Sequence, residues 1–394
     1  MRRTSCSACG CDQLDQFLDL GPSPVADAYT ATPDEISPTY PLQVAVCGKC
    51  RLVQLLEVLD HDTLFGTGYS FYSSASPPLS AYHAAYARDV LQRFPKQAAR
   101  GVIEIGSNDG DLLQHFKHLP HMGIDPSAGP SEMAVARGLN IKQKPFGLQQ
   151  AMWMDHVRPV GVVIANHVLA HVENVSDFLA GIAYLMDDES IAMVEVQYLP
   201  DLLVNNAFDL VYHEHRNFFS LSSLASAALQ HGLAVIDAEL TDRQGGSLRV
   251  ALTRLSHRGS PQAGAVKSLM YSECWLDDFS AYAGMQGRAE RIRTRLLDLL
   301  GRQEGITAVY GAPAKATTLL NFCGLTDKDL PWCVDSTPAK QGRHIPGTGI
   351  PIVAPDFMGA ATYLLAAWNY SSTIMRRNPY KSWIVPFPAP MVFP

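Results

Sequence analysis

The feature that most constrains this chain is a repeated order of short apolar run, glycine turn and helical pattern. The segment Gly101-Val-Ile-Glu-Ile105 reads as a strand, Gly106-Ser-Asn108-Asp109-Gly110 as the turn, and Leu112 to Leu119 as the helix that follows. Met122-Gly-Ile-Asp125, Val162-Val-Ile-Ala165 and Ile191-Ala-Met-Val-Glu-Val196 read as further strands, with a helix from Ser131 to Arg137 between the first two and another from Tyr82 to Phe94 ahead of them all. Strands that alternate with helices must return to the same edge, so the expected fold is α/β with a doubly wound, largely parallel sheet. A second opening of the same kind, Thr307-Ala-Val-Tyr310 followed by Gly311-Ala-Pro-Ala-Lys315, predicts a second related sheet. Between the two lie a strand-like run from Ser247 to Leu252, a Gly, Ser and Pro-rich stretch from Ser256 to Gly264, and one or two helices from Ala265 to Leu300. A length of 394 residues suits about two or three units with separate cores.

Cysteine placement adds a different module in front. Of eight cysteines, five crowd into the first fifty residues, and four of these form the pairs Cys6-Ser-Ala-Cys9 and Cys47-Gly-Lys-Cys50. Four thiolates on two such knuckles can surround Zn²⁺ tetrahedrally, and a closed four-sulfur shell leaves no place for water, so the metal would be structural. Cys11 is left over, and Cys274, Cys323 and Cys333 read as small buried hydrophobes. The Pro, Asp and Thr-rich stretch between the pairs has little helical periodicity and reads as a loop closed by the knuckles. A formal charge of −7 gives no general field for nucleic acid, which is excluded as a partner. The absence of a run of ~20 apolar residues predicts a soluble, cytoplasmic protein without membrane association.

Three segments carry candidate chemistry. The turn Glu104-Ile-Gly106-Ser-Asn108-Asp109-Gly110 lets backbone pass close to a ligand, while its acidic residues can meet an ammonium or a hydroxyl. It lacks the G-x-G-x-x-G spacing of NAD sites and the lysine of a P-loop, so a cofactor without a pyrophosphate fits better. Asp125, at the end of the next strand, is placed to accept hydrogen bonds from a ribose diol. The run Tyr212-His213-Glu214-His215 supplies acid and base groups without the H-E-x-x-H spacing of zinc proteases, which favours proton transfer over metal catalysis. On a strand it would send Tyr212 and Glu214 one way and His213 and His215 the other. His167 and His171 follow the strand that ends at Ala165 and become candidates for the same pocket.

Taken in order, these motifs resemble one family, the sugar C-methyltransferases that act on nucleoside-diphosphate-linked keto-deoxysugars. The likeness runs over almost the whole chain. It is carried by the two C-x-x-C pairs, Tyr69-Ser-Phe-Tyr-Ser-Ser74, the Glu104 to Gly110 turn, Asn166-His-Val-Leu-Ala-His171, Tyr212 to His215, Gly245-Gly-Ser-Leu-Arg249, Tyr310-Gly-Ala-Pro-Ala-Lys315, Asn321-Phe-Cys-Gly324, Asp335-Ser-Thr-Pro-Ala-Lys-Gln341, His344-Ile-Pro-Gly347 and Ala367-Trp-Asn369.

The resemblance implies a zinc-binding N-terminal domain (1–76), a Rossmann-like class I domain binding S-adenosylmethionine (77–255) and a C-terminal Rossmann-like domain that helps hold the nucleotide end of the substrate (256–394). It implies that His215 is the base, supported by Tyr212, Glu214 and His171, with Tyr69 closing over the site. It places the cofactor at Glu104, Gly106, Asn108, Asp109, Gly110, Asp125, Phe146 and Asn166, and the substrate at His167, Arg249, Asn321 and Lys315, the last reaching phosphates as a point charge. Two positions depart from the pattern: His167 stands where some relatives have asparagine, and Gln244 where a histidine often precedes the paired glycines. Both bear on the identity of the acceptor. The expected reaction is methylation of carbon 3 of a 4-keto sugar after proton removal beside the ketone. A non-sugar acceptor would keep Gly106 and His215 but not need Lys315 for phosphate, and an NAD-linked oxidoreductase would need a nicotinamide site that the turn does not offer.

Overall fold

The structure, a computed structural model, describes residues 1–60, 63–64, 71–158, 160–256, 264–357 and 359–393. The stretch between the cysteine pairs is not a loop. It forms two long antiparallel strands, β1 (Leu14–Pro24) and β2 (Thr39–Cys47), followed by β3 (Val53–Leu55). Register shifts between Gln16 and Leu18 and between Asp19 and Pro22 break the two-residue period, which removes the alternation by which a strand is recognised from sequence.

The central sheet begins with five parallel strands, β4 (Val102–Ile105), β5 (His121–Ile124), β6 (Ile141–Lys142), β7 (Val162–Asn166) and β8 (Ile191–Gln197). All of β8 is buried, as its near-continuous apolar sequence requires of a strand covered on both faces. The chain then gives β9 (Asn217–Phe218) to the first sheet, where it pairs antiparallel with β3. It returns with β10 (Leu233–Thr241) and β11 (Ser247–Arg254), both antiparallel to their neighbours, to complete the order β10-β11-β8-β7-β4-β5-β6. The helix ahead of β4 starts at Pro77, earlier than its apolar pattern shows, because two prolines suit its first turn. Between Gly110, whose φ is +79°, and Pro120 the chain has room only for a 3₁₀ turn at Leu113–Phe116 instead of the expected helix.

The helices expected from Ala265 to Leu300 appear chiefly as Gly264–Ser272 and Met285–Gly301. A third sheet follows: β12 (Thr307–Tyr310), β13 (Cys333–Val334), β14 (Ile352–Val353), β15 (Thr362–Leu365), β16 (Ser382–Val385) and β17 (Met391–Phe393), in the order β14-β13-β12-β15-β16-β17. One apolar core joins side chains of β1 and β2, the segment from Leu199 to Phe218, the helix Met285–Gly301 and the third sheet. The segment carrying Tyr212 and His215 therefore runs between the first and third sheets. Among the described residues no helix is long and apolar enough to cross a membrane.

Candidate active site and metal centre

The Sγ atoms of Cys6, Cys9, Cys47 and Cys50 all lie within 4.8 Å of one another, with Cys6 to Cys50 and Cys9 to Cys47 each at 3.5 Å. A tetrahedron with Zn–S bonds of about 2.3 Å requires S···S separations of about 3.8 Å, so the set fits zinc. Backbone N–H groups of Lys49 and Cys50 point at Cys47 Sγ, as they do toward thiolates. Cys11 stands outside this group.

At the C-terminal ends of the central strands the turn after β4 is drawn close to its neighbours. Gly106 and Gly110 hold φ of +71° and +79°, and a Cβ on Gly106 would stand 2.2 Å from a Val168 methyl. Asp125, just past β5, accepts from the Asn108 amide at 2.8 Å and the Ser127 amide at 2.8 Å, which fixes its carboxylate beside the turn. Burial pushes the Glu104 carboxyl well above the usual range, and its Oε2 has no hydrogen-bond partner among the described residues. A buried, unpaired carboxyl oxygen calls for a donor from a ligand. These residues fit S-adenosylmethionine, which offers an ammonium and a ribose diol.

Of the other expected cofactor residues, Asn108, Asp109 and Phe146 have structural partners, whereas both side-chain polar atoms of Asn166 are buried with no hydrogen-bond partner among the described residues. Asn108 binds the Phe71 carbonyl and the Ser73 amide, and the fully buried Asp109 binds Ser74 and pairs with Arg137. Together they tie the segment ahead of Pro77 over the turn. The Phe146 ring stands edge-on to Phe178 at 5.2 Å, and Asn166 ends β7 level with Glu195 of β8.

The Tyr212 to His215 run is a tight turn, closed by the His215 amide on the Tyr212 carbonyl at 2.9 Å, and not a strand. The turn brings Tyr212 and His215 to the same side. The Tyr212 hydroxyl lies 2.6 Å from His215 Nε2, with ring centroids 4.0 Å apart, and His215 Nδ1 lies 3.0 Å from the Leu210 carbonyl. A carbonyl can only accept, so Nδ1 carries the hydrogen and Nε2 presents its lone pair. His171 is fixed the same way, Nδ1 on the Glu214 carbonyl at 2.9 Å, and its ring stands 5.1 Å from that of His215. Burial lowers both: His171 to about 4, and His215 well below the ordinary imidazole value, helped by the neighbouring His171. Both are neutral near pH 7. Burial also pushes the Glu214 carboxyl well above the usual carboxylate range.

The remaining expected residues fall in three places. His167, at a φ of +55°, and Arg249 both reach the fully buried Glu195, at 3.2 Å and 3.0 Å. Arg249 also binds Tyr82 and Glu239. Although burial pushes Glu195 up, the bonds from His167 and Tyr82 and the Arg249 charge hold it down at about 2. Lys315 lies at the start of the helix Ala314–Cys323, whereas Asn321, further along, is turned to the Pro346 carbonyl at 3.0 Å and is not brought to Lys315. Tyr69 lies outside the described residues. Sequence reading gave no role to Glu195, Asp209 or Trp368. Glu195 had a visible signal, a lone carboxylate inside a wholly apolar strand, but the indole bond to Asp209 joins residues too far apart in sequence to be foreseen.

A central sheet of this order, with an acid at the end of its second strand and no pyrophosphate loop, defines an S-adenosylmethionine-dependent methyltransferase. Family models agree piece by piece: a proposed zinc binding domain matches residues 6–65, a methyltransferase domain 80–238, and a C-methyltransferase C-terminal domain 242–388. The C-methyltransferase NovU of Streptomyces niveus is 31% identical over 407 aligned positions, covering 98% of this chain and 96% of that one. The chain belongs to this family of zinc-bearing C-methyltransferases. Among solved structures, YcgJ of Bacillus subtilis covers 44% of this chain and 98% of its own at 13% identity and a TM-score of 0.35. Magnesium protoporphyrin IX methyltransferase of Synechocystis, solved with S-adenosylmethionine, covers 44% and 80% at 13% identity and a TM-score of 0.32.

Proposed function

We propose that the enzyme methylates the carbon beside a ketone in a nucleoside-diphosphate-linked keto-deoxysugar, carbon 3 of a 4-keto sugar, with His215 as the base. The observation that carries this reading is the fixed tautomer of His215, whose Nε2 lone pair is aimed at the Tyr212 hydroxyl. Carbon methylation needs a proton removed first, and a neutral imidazole held against a carbonyl is equipped to take it. Nε2 receives the proton, the C–H electron pair moves into the enolate, and the ketone oxygen gains the charge. His171 presents an acceptor and not a hydrogen in its neutral form, so the donor to that oxygen is the Tyr212 hydroxyl, whose hydrogen turns from Nε2 to the ketone oxygen as the substrate enters and leaves the Nε2 lone pair free for the carbon-bound proton. S-adenosylmethionine, when bound, supplies the methyl group from its sulfonium to the carbon nucleophile. Glu104 and Asp125 hold its ammonium and ribose.

Three units divide this work: 1–76 holds zinc, 77–255 the methyl donor, and 256–394 the nucleotide end of the acceptor. The test is product structure. The enzyme with labelled methyl donor and a panel of nucleoside-diphosphate 4-keto sugars should yield a methyl group on a quaternary or tertiary carbon by NMR. A methyl group found on oxygen or nitrogen would refute the reading, and turnover of keto acceptors lacking a diphosphate at equal efficiency would refute its sugar-nucleotide part.

A further inference from the structure

Asp209 sits in the short 3₁₀ turn Phe208–Leu210, whose last carbonyl fixes the His215 tautomer, and it is fully buried. Its Oδ2 accepts from the Trp368 indole N–H at 2.6 Å, while Oδ1 has no hydrogen-bond partner among the described residues. Over the face of the same indole stands the Lys315 ammonium, 4.0 Å from a ring centroid and bonded to the Asn369 side-chain oxygen at 2.8 Å. Lys315 and Asp209 act on each other across the indole.

The location is a ligand position by topology. In the third sheet β12 and β15 are neighbours whose following connections part to opposite sides, and ligands of doubly wound sheets bind in the crevice above such a switch. Lys315 follows β12, and Trp368 and Asn369 follow β15. A lysine only 6% exposed is there at a cost unless its charge is used or offset. Burial lowers it to about 8, and Asp209 is the charged group that opposes the fall. Among the described residues the other nearby charges are engaged elsewhere: Asp335 accepts from the Ala312 amide and Lys340 donates to the Ala312 carbonyl. Asp19 of β1 is engaged with Gln43 and Gly21, and Arg293 of the helix Met285–Gly301 lies over the Phe322 ring.

We propose that Asp209 is a positioning residue for substrate binding, a counter-charge that acts through the Trp368 indole to keep Lys315 an ammonium, so that the crevice receives an anionic diphosphate. This rests on the diphosphate-linked acceptor proposed above. A carboxylate in direct contact with Lys315 would compete with the ligand for the same hydrogens. One held at the edge of the indole sustains the charge and leaves the ammonium over the ring face to the ligand. Asp209 itself is raised by burial to about 6, so the device works between about pH 6 and pH 8.

The experiment is calorimetry of thymidine diphosphate and uridine diphosphate binding to the zinc-loaded full chain from pH 6 to pH 9. In the wild type, affinity should hold to about pH 8 and then fall. In Asp209→Asn, which keeps an acceptor for Trp368, the fall should begin about one pH unit lower or more. That variant should be about fivefold weaker at pH 8 and nearly tenfold weaker at pH 9, yet no weaker at pH 6, where a negative charge near the anion has been removed. Trp368→Phe, which keeps a ring under Lys315 but unties Asp209, should move the fall the same way. A uniform loss at every pH, or profiles parallel to wild type in both variants, would overturn the proposal. Lys315→Met separates the two layers. If it weakens binding while the Asp209→Asn profile stays unmoved, only the role of Asp209 fails; if it binds both diphosphates as tightly as wild type, the diphosphate reading fails and this proposal with it.

Discussion

His215 and Lys315 are buried bases whose ordinary protonation has been altered in the same direction for different ends. In the roles proposed for them, His215 must be empty to take a proton, and burial keeps it neutral far below its usual range; Lys315 must be charged, and burial brings its loss of charge down to about 8. The free enzyme's kcat/KM should therefore persist as pH falls through 6.5, because the depressed imidazole is still unprotonated there, and should decline above about pH 8 as the ammonium is lost. A pH–rate profile with an acid limb at the normal imidazole value would contradict the assignment of His215. Asp125 gives a second residue-scale prediction. Asp125→Ala removes a ribose acceptor as well as the clamp on Asn108, so calorimetry should show S-adenosylmethionine binding weakened by about 1.5–3 kcal/mol. The place of Asp125 just past a strand was legible in the sequence. The tautomer of His215 was not, because it depends on a carbonyl at Leu210 that becomes a neighbour only when the chain turns.

At the scale of elements, the buried strands of the central sheet showed as apolar runs, antiparallel β11 among them, whereas the long strands of the first sheet did not. β4, β5, β7 and β8 are apolar runs bounded by turns, whereas β1 and β2 carry prolines and register shifts that hide their pairing. The turn between β10 and β11 is equally demanding and shows in sequence only as paired glycines. Gly246 holds φ of +117°, and a Cβ there would meet the Asp201 carboxylate at 2.1 Å. Gly246→Ala should destabilise the fold by about 1–3 kcal/mol, read as a lower midpoint in denaturant titration. An unchanged midpoint would mean that the turn relaxes freely. The turn at Tyr212 to His215 follows the same lesson: a strand reading separates tyrosine from histidine, and the hydrogen-bonded turn unites them.

Across the whole molecule the zinc module and the Tyr212 to His215 turn are one construction. Ser7, between the first two cysteines, donates to Asn217 Oδ1 at 2.9 Å, and Asn217 opens β9, two residues after His215. β9 in turn pairs with β3, which follows directly on the second cysteine pair. The protein should carry about one tightly held zinc per chain, measured by elemental analysis. Its removal by chelation should abolish methyl transfer together with the order of the first sheet; full activity in a metal-free chain would contradict that coupling. Above this sits the claim that the enzyme makes a carbon nucleophile by taking a proton at His215. The most direct measurement is exchange of the substrate's α-hydrogen with deuterated water, followed by NMR on a nucleoside-diphosphate 4-keto sugar, with S-adenosylhomocysteine in place of the methyl donor. The wild-type enzyme should exchange that hydrogen without turnover, and His215→Ala should lose the exchange and slow methyl transfer by about 10²–10⁴ while still binding both ligands. Exchange and methylation at wild-type rates in His215→Ala would contradict the account.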